Sequence, residues 1–496
     1  MNMESPAAGK NGRIAQLHSR YKPREEARKY IDSLSLNSEI EYFILLEPGC
    51  GYITEALKNR CPAAKIAALH VDASFRPHET ETAWYPDCAE TMQEFLEREI
   101  PDAPAAAIRI IEWRPSLNVY GTKYLNALSE AVDFIKRADA GYRTSADFGR
   151  RWVRNFFKNL SLVSRALKFK ATEKPALVTG SGPGLEAALP RIRAMKSRVL
   201  LIASSSSVTA LHQGGICPDL VISTDGGAWA HTHLYSCVRH AMPVQGLAVN
   251  LCAALPSQCA AYPLLVLNDG SLWQTLALSA LGIPSLLIGQ RGTVTASAIE
   301  LAFALSAGPV FLAGVDLSLN DIRTHARPYG FDHLLYGAAN RRDPLYSLYF
   351  KRANGISGGQ SLEIYAAWFR DRLKRWPKRI FALGPNPVFE PAPLDSLDSF
   401  SGEASGSAGG AAAGADFLKA QTVAHNAHNF RDTRNAAVNA LLKALDEPRY
   451  AKTLQMELAG LLFPGKKNTA IGEIAEELAG FDSLRQSAPR YGKSNG

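Results

Sequence analysis

Short apolar runs closed by glycine recur along this chain, and helical stretches separate them. Over residues 14–118 the pattern predicts a helix at 19–34 and a strand, glycine turn and helix across 41–60. A second strand at 64–75 ends in Asp72, and a third lies at 105–113. Residues 119–170 read as a basic, mostly helical connector. A second alternating block runs from 171 to 390. It opens with the strand of PALVTGSG and a helix over 184–196. Strands follow within 197–207, 208–227, 241–249, 262–269, 283–289 and 308–318, and an amphipathic helix at 361–377 closes the block. Apolar runs bounded by Gly and Pro with helical spacers predict a mainly parallel sheet of about six or seven strands. Residues 401–416 are rich in Gly, Ala and Ser and read as a flexible linker. Residues 417–484 read as helical and as packing on the core. The expected fold is α/β: two doubly wound, Rossmann-like domains with mainly parallel sheets, plus a helical C-terminal tail.

Composition adds little that is specific. The 496 residues are 46% hydrophobic and 21% charged, which is ordinary for a globular protein. The formal net charge of +8, spread over this length, does not point to nucleic acid. The basic, aromatic-interleaved stretch at 136–174 reads as a helix with a solvated basic face. Seven scattered cysteines without a CxxC pair read as reduced thiols in a cytoplasmic protein. No signal peptide is evident, and no apolar run reaches the ~18 residues needed to span a membrane.

The candidate chemistry lies at strand-to-helix turns. In GSGPGLE, Gly180, Ser181, Gly182, Pro183 and Gly184 join a strand to a helix. Such a turn lets backbone approach an anion, and the helix start offers free N–H groups. A plain packing turn is the competing reading. In PDLVISTDGG, Asp225 ends a strand on the crevice side, where it would meet a ribose hydroxyl or a divalent ion; Asp219 sits at the opposite end. If the chemistry needs a metal, Asp225 and Asp219 are the candidates. In AGVDLSLNDIRTHARPYG, Asp316 ends a strand and His325 follows in a polar loop as a candidate general base. Tyr329, Arg323 and Arg327 are candidate phosphate or carboxylate contacts. Asn268, Asp269, Arg291 and Thr293 are further rim candidates. In the first block, EPGCG with Asp72 imitates a methyltransferase glycine turn, and a structural role is the expectation there.

Together, SRYKPREEARKYI, EPGCGY, GSGPGLE, PDLVISTD and AGVDLSLNDIRTHA resemble the motility accessory factor family of flagellin glycosyltransferases. That family shares its central domain with archaeal 6-hydroxymethylpterin diphosphokinases. GSGPGLE and the segment from GVDLS to His325 also resemble bacterial sialyltransferases that use CMP-sugars. The resemblance implies transfer of a nonulosonic sugar from a CMP donor to Ser or Thr of flagellin. It also implies Gly180 to Leu185 at the CMP phosphate, and the loop after Asp316 carrying the catalytic groups. Gly184 stands where the family pattern G-x-G-P-S-L has serine. Two other readings stand beside this one. One is pyrophosphoryl transfer from ATP with Mg²⁺, and the other is a non-catalytic flagellin-binding factor.

Overall fold

The computed structural model describes residues 6–8, 14–73, 82–289, 292–319, 322–358, 361–393, 418–422, 430–466 and 469–481. The linker at 401–416 and Arg291 lie outside the described residues. The chain divides into two compact units, residues 1–147 and 148–496. The division falls inside one long helix, Thr122–Asn159, within the stretch read as a basic helical connector.

In the first unit, strands β1 (Pro6–Ala8) and β2 (Ile14–Gln16) pair antiparallel. Helix α1 (Pro23–Ser33) follows, then β3 (Tyr42–Leu46), α2 (Tyr52–Arg60), β4 (Lys65–Leu69), β5 (Ala83–Trp84), α3 (Met92–Glu99) and β6 (Ile108–Glu112). Helices α4 (Arg114–Tyr120) and α5 (Thr122–Asn159) end the series. The sheet order is β5-β4-β3-β6, all parallel. Every residue of β3 is buried, as a strand covered on both faces requires. Its side chains alternate. Tyr42, Ile44 and Leu46 pack with Phe95 of α3 and Phe134 of α5, while Phe43 and Leu45 pack with Ile31 of α1 and Leu57 of α2.

The second unit is built on one larger sheet. Its strands are β7 (Arg165–Phe169), β8 (Ala176–Thr179), β9 (Leu200–Ser204), β10 (Leu220–Ser223), β11 (Gly246–Asn250), β12 (Leu264–Asn268), β13 (Ser285–Leu287), β14 (Val310–Ala313), β15 (Ile380–Ala382) and β16 (Leu418–Thr422). They follow the order β15-β14-β8-β9-β10-β11-β12-β7-β16, with β13 also on β12. Only the β7–β16 pair is antiparallel. The sheet is thus larger than the expected six or seven strands, because β7, β15 and β16 join it. Helices α6 (Gly184–Met195), α7 (Val208–Gln213), α8 (Ala228–Arg239), α9 (Leu272–Ala280) and α10 (Val294–Leu305) connect the strands. Between β14 and β15 lie α11 (Asp332–Ala338), α12 (Leu345–Gly358) and α13 (Ser361–Leu373). Alternate residues of β8 and β9 point to two cores. One contains Phe156 and Phe157 of α5, and the other contains α10 and Phe369 of α13.

Helices Phe430–Asp446, Pro448–Leu462 and Ile471–Gly480 end the described chain. Their Leu441, Leu458 and Leu478 belong to the same core as Trp273 of α9. Glu457 accepts the Leu272 and Trp273 N–H groups at the start of α9, at 2.9 and 3.0 Å. These helices pack on the core, while residues 418–422, read as helical, form strand β16 instead.

Candidate functional site

The sheet order fixes where a ligand would enter. From β8 the chain steps outward through β9, β10, β11 and β12, and then returns to place β14 on the other side of β8. The carboxyl ends of β8 and β14 therefore flank the switch point of the larger sheet, the usual ligand crevice of an open α/β fold.

Two glycine turns meet there at close range. The Gly180 N–H donates to Ala313 O (2.8 Å), and the Gly182 N–H donates to Gly314 O (2.7 Å). A Cβ on Gly180 would lie 2.4 Å from Gly314 O, and one on Gly314 would lie 2.6 Å from Gly180 O. The Gly184 N–H, at the start of α6, donates to Asp316 Oδ2 (2.6 Å). Gly180, Gly182 and Gly184 thus spend their N–H groups on the neighbouring turn and on Asp316. This corrects the open-cradle reading: as folded, the turn is a packing device whose helix start holds a carboxylate of the chain itself. Pro183 supplies no donor. A Cβ at Gly184 would lie 2.4 Å from Asp316 Oδ1, so the missing serine leaves room for that carboxylate. Burial raises the Asp316 carboxyl above its ordinary value, and the Gly184 N–H opposes the rise.

The loop after Asp316 is strapped across the same edge. Ser181 O accepts the Ala326 N–H (2.9 Å). Glu186, in the first turn of α6, accepts the Arg327 N–H (2.9 Å) and pairs with Arg323 (3.3 Å). His325 stacks on Tyr329, with ring centroids 4.0 Å apart, and its Nδ1 lies 2.9 Å from Thr324 Oγ1. Tyr329 Oη lies 3.3 Å from Nε2 of His233, which α8 supplies. Phe331 packs on His233 at 4.6 Å. Arg352 of α12 reaches over the Tyr329 ring, 5.4 Å from its centroid. Sequence reasoning finds His325 and Tyr329 but not His233 or Arg352. The signal for His233 is a histidine on the helix that follows the Asp225 turn.

Burial, with the Arg352 charge second, holds the His325 ring far below the ordinary histidine value, at about 3. Burial does the same to His233, to about 4, with nearby Asp225 opposing. Both rings are neutral at neutral pH. In the unfolded chain they titrate near 6.5, so the unfolded state binds more protons below that value. We predict that stability falls as pH drops from about 6.5 toward 4, by up to about 1.4 kcal/mol per pH unit for each histidine. Thermal melts from pH 7.5 to 4.5 check this. A His233→Asn/His325→Asn variant should lose part of that slope, which separates the histidines from carboxylates titrating in the same range.

The other candidates lie elsewhere. Asp225 keeps the crevice side. Its Oδ1 accepts the Gly227 N–H (2.7 Å), closing its own turn. Asp219 does not join it. It sits before β10 and holds Lys196 (2.7 Å) and the Leu201 N–H (2.7 Å). Asp225 and Asp219 thus stand at opposite ends of one strand and cannot share a metal ion. No group of three or more His, Cys, Asp or Glu suited to a metal occurs among the described residues. Asn268 and Asp269 follow β12, four strands from β8 and so about 19 Å away along the sheet edge. They are consumed locally: Asn268 accepts the Gly270 N–H (3.0 Å), and Asp269 accepts the Ser271 N–H (2.9 Å). Thr293 caps α10, accepting the Ala296 N–H (3.1 Å). These three are corrected from rim contacts to turn and cap residues.

The first unit's glycine turn is also filled. A Cβ on Gly49 would lie 2.4 Å from Nε2 of His18, whose ring stacks on Trp113. Glu47 is fully buried and accepts the Val71 N–H (2.7 Å) beside His70. The Cys50 N–H of this turn donates to Nε2 of His18 at 3.3 Å.

Residues 150–321 match the family model of 6-hydroxymethylpterin diphosphokinase MptE-like proteins. An uncharacterized protein of Treponema pallidum (strain Nichols) is 28% identical over 302 residues, covering 60% of this chain and 64% of that one. A second uncharacterized protein of that organism is 27% identical over 116 residues, covering 23% and 54%. The chain thus spans somewhat under two thirds of the first relative and about half of the second. The MAf glycosyltransferase from Magnetospirillum magneticum AMB-1 aligns with 97% of this chain and 87% of its own, at 13% identity and a TM-score of 0.49. No helix among the described residues is long and apolar enough to cross a membrane.

Proposed function

We propose that this chain is a glycosyltransferase that moves a nonulosonic, sialic-acid-like sugar from a CMP donor to Ser or Thr hydroxyls of flagellin. The observation that carries the reading is the gathering of neutral His325, Tyr329 and Arg352 at the β8–β14 switch point. A transfer of this kind asks for a base and a positive charge. The acceptor oxygen bonds to the sugar's anomeric carbon while the bond from that carbon to the CMP phosphate oxygen breaks. In the tautomer whose Nδ1–H donates to Thr324 Oγ1, His325 takes the hydroxyl proton on Nε2. The bonding electrons leave with CMP, whose added charge falls beside the guanidinium. Asp316 acts through the turn, by holding the start of α6. The protein is expected to work in the cytoplasm, on flagellin before export.

The family match over 150–321 favours a second reading, pyrophosphoryl transfer from ATP to a hydroxymethylpterin. Of the three acids this reading offers to Mg²⁺, Asp219 stands at the opposite end of β10 from Asp225 and binds Lys196, and Asp316 accepts the Gly184 N–H.

The test is a thermal-shift panel of CMP, CDP, ATP and GTP with and without Mg²⁺, followed by incubation with a CMP-nonulosonate and purified flagellin. We expect stabilisation by CMP, release of CMP and a flagellin mass gain of one sugar. Stabilisation by ATP–Mg²⁺ alone, with AMP released in the presence of the pterin, overturns the transferase reading.

A further inference from the structure

The cations at this edge are not equivalent. Arg323 is paired with Glu186. The Arg327 guanidinium lies flat on the Tyr349 ring, 4.0 Å from its centroid, and its backbone is held by Glu186. Arg352 differs from both. It is half-buried over the Tyr329 ring, and no carboxylate ion-pairs with it among the described residues. The acid of the Tyr329 segment, Asp332, is already engaged. It accepts the Tyr349 hydroxyl and the Tyr329 N–H, both at 2.8 Å. The ring on which Arg352 rests stacks on His325 and meets His233.

A half-buried guanidinium resting on a tyrosine ring has lost water without gaining a counter-ion among the described residues, and an anion restores the balance. We infer that Arg352 is the cation that holds the phosphate of the bound nucleotide, and that α12 is part of the donor site. This rests on the transferase reading for the identity of the nucleotide, but not for the presence of an anion. It also gives Arg352 a second effect. Its charge opposes protonation of His325, so an anion seated on it makes His325 a better base once the donor is bound. The site then gains basicity with its substrate and not before.

The experiment is calorimetric titration of the full chain with CMP and, separately, with inorganic phosphate. It compares wild type, Arg352→Gln, Arg352→Lys and Arg323→Gln. We expect Arg352→Gln to weaken CMP about 10- to 100-fold, the effect of losing a charge-assisted contact. Arg352→Lys should recover part of the loss, and Arg323→Gln should shift affinity less than about threefold because its partner is Glu186. Melting of the ligand-free variants establishes that each is folded. If Arg352→Gln binds CMP as wild type does, the inference is overturned and the transferase reading stands. Arg352-dependent binding of phosphate without CMP binding upholds the anion site and sinks the transferase reading. No binding of either ligand by wild type overturns both.

Discussion

His325→Asn is expected to lower turnover about 10²- to 10⁴-fold, the usual contribution of a positioned general base, while CMP affinity changes less than about threefold. The asymmetry follows from position. His325 is stacked on Tyr329, and with its Nδ1–H donating to Thr324 its Nε2 is the proton acceptor, while the positive charge belongs to Arg352. Removing the ring deletes proton transfer and leaves the cation. Single-turnover transfer gives the rate, and titration with CMP gives the affinity. The pH dependence supplies a second check. Burial and Arg352 hold the free-protein ring neutral down to about 3, so the acid limb of kcat/KM, which reports the free enzyme, should fall well below the ordinary histidine range. Under saturating donor, kcat should show its limb at higher pH, because the bound anion offsets Arg352. A loss of CMP binding equal to the loss of rate would mean that His325 serves binding and not proton transfer.

Much of this site was legible in the sequence because the signals are local. A strand ending in glycine before a helix is visible at Gly180, and an acid at the end of an apolar run is visible at Asp316. Residues 41–60 fold as read, and β4 lies within the second predicted strand, because a strand buried on both faces has to be continuously apolar, as YFILL is. The misses share a different cause. β7 reads RALKF, with Arg165 and Lys168 exposed, and it meets β12 at one register pair before β16 covers its other edge. Nothing within five residues separates that from the end of a basic helix. β15 is three residues long, too short for periodicity to register. α12 contains Asn354 and Gly355, poor helix formers, and is held through tertiary contacts such as Tyr349 with Asp332. Arg352 was therefore invisible as a site residue. His233 was missed because its meaning depends on a partner 96 positions away. Spacing suggested that the glycine turn faces an anion, but the donors could be assigned only once β14 was placed beside β8. Then Ala313, Gly314 and Asp316 appeared as the acceptors.

That placement makes Gly180→Ala a damaging small change in the larger unit. The backbone at Gly180 does not occupy the left-handed region, so alanine is tolerated conformationally and the whole effect comes from space. The added methyl would sit 2.4 Å from Gly314 O and 3.2 Å from Val315 Cγ2. The first of these is backbone and cannot rotate away. The two turns must separate, which strains the Gly182–Gly314 bond and the Ala326–Ser181 bond that anchors the His325 loop. Overpacking of this kind costs about 1–3 kcal/mol, occasionally more, so melting should fall by several degrees and transfer should be lost as the loop shifts. Gly184→Ser provides the contrast. Its Cβ meets only the Asp316 carboxylate, a side chain that can swing out. The change should cost roughly the Gly184–Asp316 bond, about 1–2 kcal/mol, and free the helix start for another anion. CMP should then bind at least as tightly as to wild type. Gly337→Ala, on a helical residue whose added Cβ meets nothing within 4 Å, should leave melting unchanged or raise it. A Gly180→Ala variant that melts as wild type does would show that the two turns are not held together by glycine backbone contact. The role assigned to Gly180 and Gly314 in positioning His325 would then fail.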